Sequence, residues 1–319
     1  MTTASGAIIP LMPQHSPSVL LIRLDAIGDA LACTPLLAAF AERGIPVDVV
    51  LQRANAEAFS ARAARSVFVA PDVGELRANG YSDVLVATEK PEGYRLARAV
   101  GAPRRVGFVN GWGKPFKTLW ARSLLTRAII RSAGLDPRAP HECEVIWQLG
   151  ADLLGELQIP RDPTVLAPLV LDDPVARGAY IAFQVTDKWE RLGIGFDDVV
   201  RAVAVAATCG PLRLLASERE AGYADRVASA ARVRIERFSR LAEWKEAIAG
   251  AAAIVAPDSG ALHVAGMVGT PVLAVFPPQR QYELQVARWR PWAAPYRVVR
   301  AEGDWPDDVS TGLHALLER

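Results

Sequence analysis

Two carboxylates stand four residues apart in the run Arg23-Leu24-Asp25-Ala26-Ile27-Gly28-Asp29. An apolar strand pattern, Val19–Leu24, precedes the run and an apolar helical pattern, Asp29–Arg43, follows it. The loop at a strand's carboxyl end, before a helix N-terminus, is where ligands sit in open α/β sheets. Gly28 allows a tight turn or close approach of a ligand there. Asp29 has two readings. A carboxylate in the first turn caps orphan N–H groups and is favoured by the helix dipole. The same carboxylate, if ionised and within reach of a hydroxyl, is a general base. The glycines are too few for a dinucleotide fingerprint, because Gly-x-Gly-x-x-Gly is absent.

Three further segments have side chains suited to a charged ligand. Ala256-Pro257-Asp258-Ser259-Gly260-Ala261-Leu262-His263 again joins a buried strand to a helix. Asp258 or Ser259 can cap that helix, and Gly260 lets a ligand approach its first-turn N–H groups, which suit an anion such as a pyrophosphate. The competing reading is a capped helix with a packed His263. Lys188, just after the first strand of the second half, can hold a phosphate as a point charge or be a solvated loop lysine. Glu218 closes the next strand, where an acid can hold ribose hydroxyls or cap a helix.

The elements that position these groups follow from hydrophobic patterning. Strands are expected at 47–51, 67–70, 83–87 and 105–108, with helices at 55–64 and 94–100 between them. After a proline-rich stretch from Pro160 to Pro174 the alternation restarts. Strands are expected at 180–185, 212–216, 234–236, 253–256 and 272–276, with helices at 197–208, 220–231, 241–249 and 260–267. Such alternation means βαβ units and parallel sheets. The expectation is two Rossmann-like domains facing a central cleft: residues 1–17 a flexible tail, 18–168 an acceptor-side domain, and 169–319 a nucleotide-sugar domain whose last helix packs back on the first.

The 319 residues carry a formal charge of +1, which gives no global attraction to nucleic acid. Cys33, Cys143 and Cys209 are far apart and match no metal-ligand spacing, so they read as reduced thiols. No apolar run reaches the roughly 18–20 residues needed to span a bilayer. Charge is locally uneven, however. From Gly93 to Leu135 there is no Asp or Glu, while Arg95, Arg98, Arg104, Arg105, Lys114, Lys117, Arg122, Arg127 and Arg131 are interleaved with Trp112, Phe116 and Trp120. Phe116–Arg131 has helical spacing. It reads either as a core helix with a solvated basic face or as a patch, carried by Arg122, Arg127 and Arg131, for an anionic lipid-linked acceptor or membrane surface.

In order and spacing, these segments resemble glycosyltransferase family 9, the ADP-heptose:lipopolysaccharide heptosyltransferases. The resemblance spans about residues 19–300. It rests on Arg23, Gly28 and Asp29, on Asp258-Ser259-Gly260-x-x-His263 followed by Gly269-Thr270-Pro271, and more weakly on Gly101–Phe108, His141-Glu142 and Trp289-Arg290-Pro291-Trp292. It implies the GT-B fold and inverting transfer of a heptose from ADP-heptose to a hydroxyl of a lipopolysaccharide-core or related glycan acceptor. No carboxylate cluster demands a metal, so catalysis without an essential one is expected, with the nucleotide sugar as substrate and no required cofactor. The resemblance assigns the base to Asp29, the donor phosphate to Lys188 and the ribose to Glu218. Asp258, Ser259, Gly260, Leu262 and His263 fall on the diphosphate and sugar. Arg23, Asp25, Gly28, Arg104, Arg105 and Arg280 are further expected acceptor or phosphate contacts. The expected location is the cytoplasm, with the basic stretch a route to peripheral association with the inner face of the cytoplasmic membrane.

The chain departs from that family at Asp25, where many relatives carry serine or threonine. It departs also at Pro277-Pro278-Gln279-Arg280, in place of Gly-Pro-Thr/Ser, and at Thr88-Glu89-Lys90-Pro91. These departures keep open a different nucleotide sugar or a sugar-nucleotide epimerase on a similar scaffold. A non-catalytic nucleotide-sugar-binding protein is a third reading. The pair Asp25 and Asp29 raises one more expectation: two close carboxylates repel, and one would then hold its proton more tightly.

Overall fold

The computed structural model describes residues 17–131 and 140–318. The expected flexible tail, apart from residue 17, lies outside the described residues. Twelve strands among the described residues form two parallel six-stranded sheets. The first sheet contains β1 (Val19–Arg23), β2 (Val47–Leu51), β3 (Ser66–Val69), β4 (Asp83–Val86), β5 (Arg104–Val109) and β6 (Arg127–Ile130), in the order β3-β2-β1-β4-β5-β6. The second contains β7 (Ile181–Gln184), β8 (Leu212–Ser217), β9 (Ile235–Phe238), β10 (Ala253–Pro257), β11 (Val272–Phe276) and β12 (Tyr296–Arg300), in the order β12-β11-β10-β7-β8-β9. Counted within each half, both orders are 3-2-1-4-5-6, the doubly wound arrangement expected from the alternation.

Helices cover both faces of each sheet, so central strands such as β1 and β10 are buried along their whole length. Leu20 and Ile22 face one apolar layer with Tyr94 and Ala97. Leu21 faces another, which continues through Leu166, Leu169 and Val170 of the connection into Ile254 and Ala274 of the second sheet. The two halves therefore share a core at the linker, and a short helix there, Pro163–Leu166, packs on helices of both halves.

Four expected elements differ. The helix Asp29–Arg43 is two helices, Ile27–Leu31 and Thr34–Glu42. Pro35 lacks an N–H and its ring would clash with the preceding turn, so the helix restarts with proline in its first turn. Residues 55–64 do not form a helix, despite five alanines. Their polar groups are taken by the linker instead: Ser60 N–H donates to Leu169 O, Ser60 Oγ donates to Pro168 O, and Ala61 N–H donates to Asp172. The expected helix Phe116–Arg131 runs only over Pro115–Leu124. Thr126 N–H then pairs with Arg105 O, and the β-branched end of the segment becomes edge strand β6. The last helix, Asp308–Leu317, packs on β11, β12 and helix Phe196–Thr208 of the second half, not back on the first domain.

Lys245 pins the hinge. It projects from helix Leu241–Ala249, and its Nζ donates to Val170 O at 2.5 Å and to Ala58 O at 3.4 Å. Burial pushes its ammonium down to about 8, against weaker support from Asp172, Glu57 and Glu246. A base with a lowered folded pKa leaves the unfolded chain holding more protons, so stability rises with pH between about 8 and the unfolded value of 10.5. We expect this rise in denaturant unfolding of the wild type and its absence in Lys245→Met. An identical pH slope in the variant would refute it.

Candidate active site

The β1 loop and the β10 loop face each other across the cleft. Helix Ile27–Leu31 meets helix Gly260–Val268, and the fit is reciprocal. A Cβ on Gly28 would stand 2.3 Å from His263 Cδ2, and one on Gly260 would stand 2.4 Å from Ile27 Cγ2. Both glycines are therefore needed for close approach, although Gly28 seats a histidine rather than a ligand.

Asp29 is held from two sides. Its Oδ1 accepts from Arg23 Nη2 at 2.6 Å, and its Oδ2 accepts from Ala26 N–H at 3.2 Å. It thus ties the loop into the helix start, as capping requires, yet its side chain keeps 26% exposure and lines the cleft. Arg23 is 1% exposed and lies between the loop carboxylates, with Nε 3.5 Å from Asp25 Oδ2. It also donates to Ala87 O and contacts Glu142 Oε1 at 3.3 Å. Burial opposes its charge, but Asp29, Glu142 and Asp25 outweigh that, and the guanidinium is raised above its ordinary value. Arg23 is buried beneath the loop and contacts Asp29 rather than opening onto the cleft. The repulsion expected between Asp25 and Asp29 meets this shared cation. Gln52 and Asn55 side chains pin Asp25 O, and Lys90 Nζ holds Leu24 O at 2.5 Å.

Behind Arg23 lies fully buried Glu142. Arg131 Nη2 donates to both its oxygens at 2.6 Å, and Arg288 Nε, from the second half, lies 3.6 Å away. Neighbouring His141 bridges the halves through Nε2 to Arg290 O at 2.7 Å, while its Nδ1 accepts from Cys143 N–H. Burial pushes His141 down to about 3, so it is neutral with its proton on Nε2. Its ring packs on Trp292. Cys33 and Cys143 are buried beside this network, and burial raises both thiols, Cys33 to about 12, which keeps them unreactive.

Opposite Asp29, a small cavity of about 140 Å³ brings together Lys188, Asp258, Ser259, Gly260, His263 and Trp289. Ser259 Oγ is buried without a hydrogen-bond partner and makes no cap to its own helix. Burial and nearby Lys188 push His263 down to about 3, so its imidazole is neutral. Burial also raises Asp258, against Lys188 and assisted by Asp29.

A second cavity, of about 260 Å³, shares Ile27, Ser259 and Gly260 with the first. Its wall runs along the carboxyl ends of β7, β8 and β9 and includes Thr186, Glu220, Phe238 and Trp244. Glu220 accepts from Thr186 Oγ1 and from Asp187 N–H, and burial raises its carboxyl. Trp244 Nε1 donates to Gln184 Oε1 at 2.9 Å, which fixes the indole. The two cavities adjoin at Ile27, Ser259 and Gly260 and lie along one trough between the halves. Among the described residues no group of three or more His, Cys, Asp and Glu side chains gathers that could hold a metal ion.

Several expected contacts lie elsewhere. Glu218 is exposed and opens a one-turn helix after β8, while Glu220, two residues on, turns into the cavity. Leu262 is fully buried in packing, and its N–H is tied to Ser259 O. Arg104 and Arg105 stand at the start of β5, at the sheet edge away from the cleft. Arg104 binds Asp83 and Asp152, and Arg105 binds Leu124 O and Ala102 O. Arg280 lies exposed on the loop after β11 and lines neither cavity. Sequence reasoning missed Glu220 and Arg288, and it read Arg131 as part of the basic patch rather than as the partner of Glu142. The Trp-Arg-Pro-Trp segment was a partial signal for Arg288, because it sets Trp289 edge-on to His263 at 5.5 Å.

Two doubly wound domains with a trough between facing strand ends define the GT-B fold, and solved structures share it. A glycosyltransferase family 9 structure from Veillonella parvula DSM 2008 superposes with a TM-score of 0.72 at 12% identity, covering 96% of this chain and 99% of that one. E. coli heptosyltransferase WaaC with ADP gives 0.68 at 20%, covering 94% and 99%. E. coli ADP-heptose lps heptosyltransferase II gives 0.69 at 17%, covering 94% and 98%. No curated protein matches in sequence. Residues 212–311 match glycosyltransferase family 9 (heptosyltransferase). The chain thus has the GT-B fold, and within its second half residues 212–311 are similar to that heptosyltransferase family.

Proposed function

We propose that the protein is an inverting glycosyltransferase that moves a heptose from ADP-heptose to a hydroxyl of a lipopolysaccharide-core or related glycan. The observation that carries this reading is Asp29: a cleft-facing carboxylate fixed by Arg23 and Ala26, set opposite Lys188 and the helix start at Ser259. In this reading the nucleoside occupies the larger cavity, with Glu220 toward the ribose and Trp244 along the base. The diphosphate meets Lys188, Ser259 Oγ and the N–H groups of helix Gly260–Val268. Asp29 takes the proton of the acceptor hydroxyl as that oxygen attacks the anomeric carbon. The sugar–phosphate bond breaks, and the diphosphate leaves with a charge that Lys188 and the helix start stabilise. His263, neutral and seated on Gly28, offers a hydrogen bond rather than a charge. This charge pattern meets the leaving group without an essential metal.

The ADP-linked donor is supported by the fold shared with an ADP-bound heptosyltransferase. Thermal-shift measurement against ADP-, GDP-, UDP- and CDP-sugars tests it, since a ligand of the native state raises the melting temperature. A rise with ADP-heptose above the others, followed by heptosyl product on a core acceptor, is the expected result. A stronger rise with another nucleotide sugar, or an epimerised donor without transfer, would replace the proposal.

A further inference from the structure

Seven large hydrophobic side chains are exposed among the described residues, and four of them fall within nineteen positions: Trp112, Phe116, Leu119 and Ile130. Trp112 is 95% exposed and Phe116 87%. They belong to the turn after β5, the first two turns of helix Pro115–Leu124 and the last residue of β6. All four therefore crowd the carboxyl edge of the first sheet, the same edge that carries Asp29. Lys114 and Arg122 are exposed on the same turn and helix, in the stretch that lacks acids.

The arginines that sequence alone favoured for a membrane patch divide here. Arg127 is exposed but paired with Asp152 at the surface, and Arg131 is held within the fold by Glu142 and Glu89. Lys117 is partly engaged by Glu89 at 3.4 Å. What remains outward is aromatic and aliphatic, with Lys114 and Arg122 as its exposed cations.

We infer that this face docks on an anionic bilayer surface, with Trp112 and Phe116 inserted among the headgroups and Lys114 and Arg122 on the anionic lipids. Indole and phenyl rings flanked by cations suit that interface, where apolar burial and charge attraction act together. No helix among the described residues is long and apolar enough to cross a membrane, so attachment by this face is peripheral. If the transferase reading holds, the geometry turns the acceptor side of the trough toward the lipid.

The test is co-sedimentation of the full chain with phosphatidylcholine vesicles, with and without phosphatidylglycerol. The wild type is expected to bind the anionic vesicles and to be released by added salt. Trp112→Ser/Phe116→Ser should weaken binding at least about tenfold, as loss of two inserted aromatic side chains requires. Lys114→Gln/Arg122→Gln should weaken it in low salt and remove most of the salt dependence. Both pairs are exposed, so unchanged thermal melting certifies their folds. Vesicle binding is read without turnover, so it can fail while the donor assignment stands, and the converse. Equal binding by the aromatic variant would overturn the proposal. So would self-association of the wild type, by sedimentation velocity, that the aromatic variant abolishes, because the face would then be an interface between copies.

Discussion

Asp29→Asn is expected to lower transfer by about 10²–10⁴-fold, the span that a positioned general base contributes. The amide keeps the side chain's shape and can still accept one hydrogen bond, from Arg23 or from Ala26 N–H. It cannot accept the acceptor's proton. Arg23 retains Asp25 at 3.5 Å and Glu142 at 3.3 Å, so the loop keeps most of its anchoring. Donor binding, across the cleft at Lys188 and Ser259, should persist as an undiminished thermal shift with ADP. Steady-state transfer and that shift are measured on the same preparation. Activity within a few-fold of wild type would remove Asp29 from the base role. Loss of both readouts would instead mean that the variant had damaged the trough.

Glu142→Gln is expected to be the costliest single change at the seam. The carboxylate is fully buried and takes two 2.6 Å contacts from Arg131, with Arg23 and Arg288 close behind. A neutral amide leaves those guanidinium groups in a low-dielectric interior with one negative charge fewer. Removing one partner of such a buried pair costs on the order of 3–5 kcal/mol, because the remaining charge is uncompensated. The midpoint of denaturant unfolding should fall accordingly. The second effect is on catalysis. With Glu142 neutral, Arg23 loses one of the anchors that set its angle to Asp29, and small misplacements at a reacting centre cost about a hundredfold. The expected signature is a fall in kcat with little change in KM for the donor. An unchanged unfolding midpoint would contradict the electrostatic role. A KM-only effect would contradict the positioning role.

What the sequence disclosed follows from how local each feature is. The loops at Asp29 and at Asp258–His263 were legible because strand, turn and helix start are contiguous, and Gly28 and Gly260 mark the turns. Five strands of each sheet follow from the same local alternation, whereas edge strands β6 and β12 were not expected. The support of Asp29 was not legible. Arg23 and Glu142 are 119 residues apart, and only the folded sheet brings them together. Residues 55–64 misled for a related reason: alanine favours helix, yet the linker takes Ser60 and Ala61. Glu218 and Glu220 both end the same segment, and only the one-turn helix between them decides which enters the cavity. The thiols, the basic stretch and Arg104 show the same limit, since composition reports charge but not its partner.

The reciprocal seating of the two glycines makes the trough behave as an all-or-none lock. Gly28 receives His263 from the second half, and Gly260 receives Ile27 from the first, so neither half holds a complete socket. Parting the domains empties both sockets in one movement and separates Asp29 from Lys188 and Ser259 at once. In the proposed reading, the base and the diphosphate site are therefore armed together or disarmed together. Water entering an open cleft meets only half of the machinery.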